Sequence, residues 1–126
     1  MPLIRFALIA DAIASGATGL LLAFGGSFLA GLTGIPADIA MPLGLFLVVF
    51  ALFVAWVGWQ RTTSRGLAMT IVLVNAAWVI GSIAILLIGA LPLTMLGVAF
   101  VIAQAGAVAA LAALQWMGLG RTGALA

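Results

Sequence analysis

Asp11 is one of two carboxylates in this 126-residue chain, and it interrupts an apolar run. An ionisable group in such a run is a functional-site hypothesis by default, because charge is expensive in hydrocarbon. Asp11 lies eight residues past Leu3, about 12 Å along a helix rising 1.5 Å per residue. Asn75 lies eight residues past Leu67, at the same depth on a segment running the same way. Ser15 and Thr18 share the face of Asp11, and Ser82 shares the face of Asn75. Two chemistries follow. Asp11 is either a proton-binding carboxylate in a translocation path or hydrogen-bonding glue between the first and third helices. The glue is the commoner use of polar side chains at helix interfaces. The expectation is an interior Asp11 that shares a hydrogen bond with Asn75. One such bond returns about 0.6 kcal/mol on average, against about 2.5–3.5 kcal/mol for an aspartate at the centre of a span. One amide alone therefore does not offset a full charge. Arg5 is a poor partner for Asp11, since six residues of helix set it roughly 120° round the axis.

Other reactive residues are scarce. Cys, His, Glu, Lys and Tyr are missing from the sequence. A disulfide, a Schiff base, a Ser-His pair or a His/Cys metal site has no material here. No cofactor or metal is expected, and the chain reads as a non-enzyme. Gln104 sits near the middle of a fourth apolar run and is expected to bond across helices. A pore-lining role would need a ring of polar groups, and one Gln supplies little of one.

These residues need elements to hold them, and composition says where those elements lie. The chain is 67% hydrophobic and 5% charged, against about 25% charged in a soluble domain. A soluble fold could not hide that much apolar surface, so the lipid bilayer is the first partner. The net charge of +2 comes from four arginines against two aspartates. They form no basic patch, so nucleic acid is not a partner. The start of the chain has a basic residue, an apolar run and small residues, as a signal peptide would. Asp11 breaks that run, and the segment is expected to stay as a helix.

Four spans are predicted, at about 3–24, 42–59, 67–88 and 94–117. They make a single all-α transmembrane domain, a four-helix bundle of up-down topology. Gly25-Gly26 is the expected stop of the first span. Residues 25–41 read as an interfacial loop, with a short helix beginning near Pro36. Pro42 is placed at the start of the second span and Thr94 as the cap of the fourth. In the second span Phe46, Phe50 and Phe53 form a bulky stripe, expected to face lipid or a partner. Gly44, Ala51, Ala55 and Gly58 fall on the opposite side and are expected to pack inward. The fourth span, rich in Ala and Gly, is the most tightly packable.

Charge placement fixes the orientation. With four spans, Arg5, Arg61, Arg65 and Arg121 all fall on one side, which the positive-inside rule makes cytoplasmic. They set topology and could also meet lipid headgroups. Trp56, Trp59 and Trp116 stand at the same helix ends, where an interfacial aromatic belt belongs. Trp78 is mid-span and is expected to be packed inside or at a contact. A 2+2 internal repeat is one reading of a second pattern, and chance matching in so biased a composition is the other. Asp11, Thr18 and Gly25 match Asn75, Ser82 and Gly89, each 64 residues later.

The short basic start, the Gly/Pro-rich first external loop, the Arg61–Arg65 loop and the Asn75-Ala-Ala-Trp78 stretch resemble small four-span bacterial inner-membrane proteins of uncharacterised function. The resemblance implies a location in the bacterial inner membrane, with both termini cytoplasmic, and no activity. In size the chain is similar to the small multidrug-resistance transporters, but it has no intramembrane Glu, which those need. The roles left are an accessory or scaffold subunit, packing against other membrane subunits or copies of itself, and a small transporter or channel working through Asp11.

Overall fold

The structure, a computed structural model, describes residues 2–122, without the side chains of residues 121 and 122. Four helices fill it: α1 (Leu3–Thr33), α2 (Ala37–Trp59), α3 (Arg65–Ile88) and α4 (Met95–Thr122). Each is long and apolar enough to cross a membrane. In hydrocarbon a backbone must satisfy its own hydrogen bonds, and an unbroken helix does so. The chain is thus a multi-pass, all-α membrane protein with up-down topology. The spatial order is α2–α1–α4–α3, packed as two pairs, α1 with α2 and α3 with α4. Contact between α1 and α4 joins the pairs, while α2 and α3 barely meet along their backbones.

The interfacial loop expected over residues 25–41 is replaced by helix. α1 runs through Gly25-Gly26 to Thr33, and α2 begins at Ala37, with Pro36 as its N-cap. The expected helix start near Pro36 is present, but it continues directly into the second span, so Pro42 lies inside α2. Glycine inside a helix costs only about 1 kcal/mol against alanine, and the packing of α1 on α2 carries the helix through the pair. Gly26 faces the first turn of α2, where a Cβ would stand in ordinary contact, 3.5 Å from the Cβ of Ala40. The two helices form a hairpin turned by Gly34, whose φ of 79° is the left-handed conformation that glycine adopts freely. α1 is about 46 Å long at 1.5 Å per residue, well over the roughly 30 Å of a hydrocarbon core.

Small residues set the spacing of α1 and α2. A Cβ on Gly19 would meet the Gly44 carbonyl oxygen at 2.8 Å, and one on Gly44 would meet the Gly19 oxygen at 2.5 Å. Gly58 and Ala51 continue that face against α1. The phenylalanine stripe departs from expectation. Phe46 is half exposed, but Phe50 is buried and Phe53 packs partly buried against the core. The reason is that α2 serves two neighbours. Its small face meets α1, and the adjoining face closes the bundle interior. A three-residue step carries Phe50 roughly 60° round the helix from Phe53, toward that interior face. There Phe50 joins Leu8, Val54, Val57, Ile71 and Leu119.

The two ends of the bundle are closed differently. At the end carrying the 60–64 connection, Arg5 donates from Nε to the Gly58 carbonyl at 3.0 Å. From Nη2 it donates to the Gln60 carbonyl at 2.8 Å. These are carbonyls at the C-terminus of α2, where a cation is favoured by the helix dipole. Ser64 caps α3 by accepting from the Leu67 N–H. Arg61 and Arg65 are exposed, and the Arg121 side chain lies outside the described residues. At the other end Thr94 caps α4 by accepting from the Gly97 N–H at 3.0 Å. The same hydroxyl donates to the Leu32 carbonyl at 2.7 Å, tying α4 to the end of α1. Trp56, Trp59 and Trp116 are exposed at the arginine-bearing end.

Candidate functional site: a buried carboxylate held by neutral amides

Asp11 is 1% exposed, and it gathers polar groups from three helices. Asn75 of α3 donates from Nδ2 to Asp11 Oδ2 at 2.8 Å. Gln115 of α4 donates from Nε2 to the same oxygen at 2.8 Å. Ser15, one turn on in α1, donates to Oδ1 at 2.9 Å. Asn75 also donates to Gln115 Oε1 at 3.1 Å, so the two amides brace each other. α1 and α3 lie diagonally across the bundle with no close backbone approach. Side chains bridge them instead, these polar ones and the apolar cluster of Ile4 and Leu8 with Ala68 and Ile71.

The sequence placed Asp11, Asn75 and Ser15, and missed Gln115. A signal for it was present. Gln115 is seven residues from the last residue of α4, about 10 Å from that end, so on an antiparallel helix it matches the depth of Asp11. Gly118, one turn further along, shows why α4 can bring Gln115 this close. A Cβ there would stand 2.6 Å from the Ile4 nitrogen, so only glycine lets α4 lie against the start of α1.

A second polar group sits nearer the other end. The Trp78 indole N–H donates to Gln104 Oε1 at 2.7 Å. Gln104 Nε2 donates to Ser82 Oγ at 3.0 Å and to the Val101 carbonyl. Ser82 donates in turn to the Trp78 carbonyl. Trp78 also stacks on Phe46, with ring centroids 6.2 Å apart. Thr18, expected on the Asp11 face, stands between the two groups and makes no hydrogen bond to them. It lines the same small cavity as Asp11, Ser15, Trp78 and Gln104.

Among the described residues every buried side-chain nitrogen and oxygen has a hydrogen-bond partner. Among the same residues no three His, Cys, Asp or Glu side chains stand together as a metal site would need. The arrangement can lock three helices in register, and it can hold a proton at a carboxyl group. Compared with protein-family models, curated proteins and solved structures, the chain matches none. The comparisons therefore lend no support to the inner-membrane resemblance, and the four-span all-α membrane fold stands on the structure.

Proposed function

We propose that the chain is a non-catalytic accessory or scaffold protein of a membrane complex, and that it joins other chains, or copies of itself, through α4. One observation carries this reading. Ala99, Ala103, Gly106, Ala110 and Ala113 follow one another at alternating four- and three-residue steps, and all are exposed on the outer face of α4. A Cβ on Gly106 would meet nothing within 4 Å. Small residues in lipid mark surfaces where helix backbones approach closely. The small stripe of α2 meets its neighbour within the chain, and this one has none among the described residues. The Asp11 cluster then serves as the clasp that keeps α4 in place. The bacterial inner membrane, with both termini cytoplasmic, is the location that fits the clustering of the arginines.

Gly106→Ile and Ala110→Leu test it. Neither added side chain meets the rest of the bundle, so the monomer should fold as before. Co-purification of partner chains, or cross-linking of Ala103→Cys to a second copy, should be lost. Unchanged association in both variants overturns the reading.

A second reading, a small transporter or channel working through Asp11, is favoured by a different observation. The carboxylate is not sealed on every side, because Asp11 and Ser15 line a small cavity. Asp11→Asn should then leave the fold intact and abolish a measurable flux in proteoliposomes.

A further inference from the structure

The cavity beside Asp11 has a volume of about 60 Å³ and extends along the bundle to Thr18, Trp78 and Gln104. A second cavity, of about 70 Å³, begins at those same three residues and runs on to Ile35 and Leu91. Ile35 lies in the 34–36 connection and Leu91 in the 89–94 connection, so the two cavities are stacked toward one end of the molecule. A site holding a drug-sized substrate needs roughly 300 Å³ or more. A single water needs about 10–15 Å³ and two to four polar partners. The space therefore suits a few waters and nothing larger. Asp11, Ser15, Thr18, Ser82 and Gln104 supply partners along the inner part of the path, whereas from Leu22 to Ile35 and Leu91 its walls are apolar.

Toward the opposite end the path is closed. Ile4, Leu8, Val54, Val57, Ile71 and Leu119 pack there, each at most 1% exposed. The charge around Asp11 is also simple. Its partners from α1, α3 and α4 are the neutral Ser15, Asn75 and Gln115. Arg5, on the same helix, is engaged with carbonyls at the end of α2. Two amides hold Oδ2, whereas Oδ1 has Ser15 alone, on the side of the cavity.

We propose that the two cavities form one water-filled inlet, entered from the end that carries the 34–36 and 89–94 connections, which brings water and protons to Asp11 from that face alone. A proton arriving by this route adds to Oδ1 and leaves by the same water, and the Ser15 hydrogen bond reverses to accommodate it. Oδ2 and its two amides stay in place, so the clasp survives either state. The inlet deepens the transport reading, and its test is separate from that reading's. A hydrated inlet without flux would sink transport and leave the inlet standing, whereas a dry inlet would leave Asp11 without a route.

The natural lack of cysteine makes the test direct. Single cysteines go at Thr18 and Val108, which line the inlet, and at Leu20, which is exposed on the outer surface. Ala90→Cys and Thr62→Cys mark the two faces. Silver ion, small enough for the space, is added in chloride-free buffer to one face of sealed proteoliposomes. The thiols left free are then counted with maleimide after denaturation. From the face at which Ala90→Cys reacts, silver should block Thr18→Cys and Val108→Cys at least tenfold faster than Leu20→Cys. From the Thr62 face it should not. Blocking no faster than at Leu20→Cys, blocking from the Thr62 face, or reaction with a lipid-soluble maleimide alone overturns the proposal.

A readout without cysteines covers the case in which those variants fold poorly. In micelles the Asn75 and Gln115 side-chain amide protons should exchange with deuterated water. Thr18→Leu, which plugs the inlet, should slow that exchange about tenfold. Exchange that the plug leaves unchanged overturns the inlet as well.

Discussion

Four side chains decide whether α1, α3 and α4 stay together around Asp11, and they differ in what their loss leaves behind. Asp11→Leu strands the Gln115 amide and removes one of the two acceptors of the Asn75 amide. A buried group so stranded costs about 1–3 kcal/mol, so unfolding in mild detergent should move to markedly lower denaturant. Asp11→Asn should stay within about 1.5 kcal/mol of the parent, the scale of one net hydrogen bond. Its amide can accept from Asn75 and Gln115 and donate to Ser15. Gln115→Leu removes one of the two amides on Oδ2 and the brace to Asn75. It should cost about 1–3 kcal/mol. A double-mutant cycle between positions 75 and 115 should show coupling, because the two amides are bonded to each other. Additive losses would mean that each amide acts on Asp11 alone.

Among the elements, the α1–α2 hairpin and the tie between α1 and α4 depend on different devices. Gly44→Val should disrupt the hairpin, since any side chain there meets the α1 backbone near Gly19 and Ala23. Overpacking costs typically about 1–3 kcal/mol. The upper end is expected here, because the obstacle is backbone and not a flexible side chain. Gly106→Val, on the open face of α4, is the control and should be neutral for folding. Thr94→Ala removes a helix cap worth about 1 kcal/mol, together with the bond to the Leu32 carbonyl. Amide exchange should then quicken in the first turn of α4 and the last turn of α1 together. Quickening confined to α4 would show that the tie to α1 carries no energy.

For the whole molecule, both described ends and the 60–64 connection lie at one end of the bundle, because an even number of long helices runs up and down. The positive-inside rule then sets the orientation. Thr62→Cys should be closed to an impermeant thiol reagent outside intact cells, and Ala90→Cys should be open to it. The reverse pattern would show that the arginines do not set the topology. Reduced contact between α2 and α3 leaves a groove of about 390 Å³ along Leu43, Phe46, Val74 and Ile85. Trp78 forms part of the wall between this groove and the inner cavities.

Apolar length and arginine placement in the sequence determined the membrane as solvent, the four helices and the pairing of Asp11 with Asn75. Those properties depend on runs along the chain and on depth counted from a helix end. The tertiary structure decided the rest. Gly25-Gly26 reads as a stop in isolation, yet α1 passes through it, because α1 packs along α2, with Gly26 against Ala40, and local sequence does not reveal that neighbour. Phe50 reads as lipid-facing on a two-sided helix, yet α2 has three surroundings: α1, the bundle interior and the exterior. Gln115 joins the Asp11 cluster because α4 lies against α1 through Gly118. In each case what the sequence lacks is the rotation of a helix about its own axis. Residue spacing fixes which side chains share a face, and in a chain apolar on every face only packing against neighbours decides where that face points.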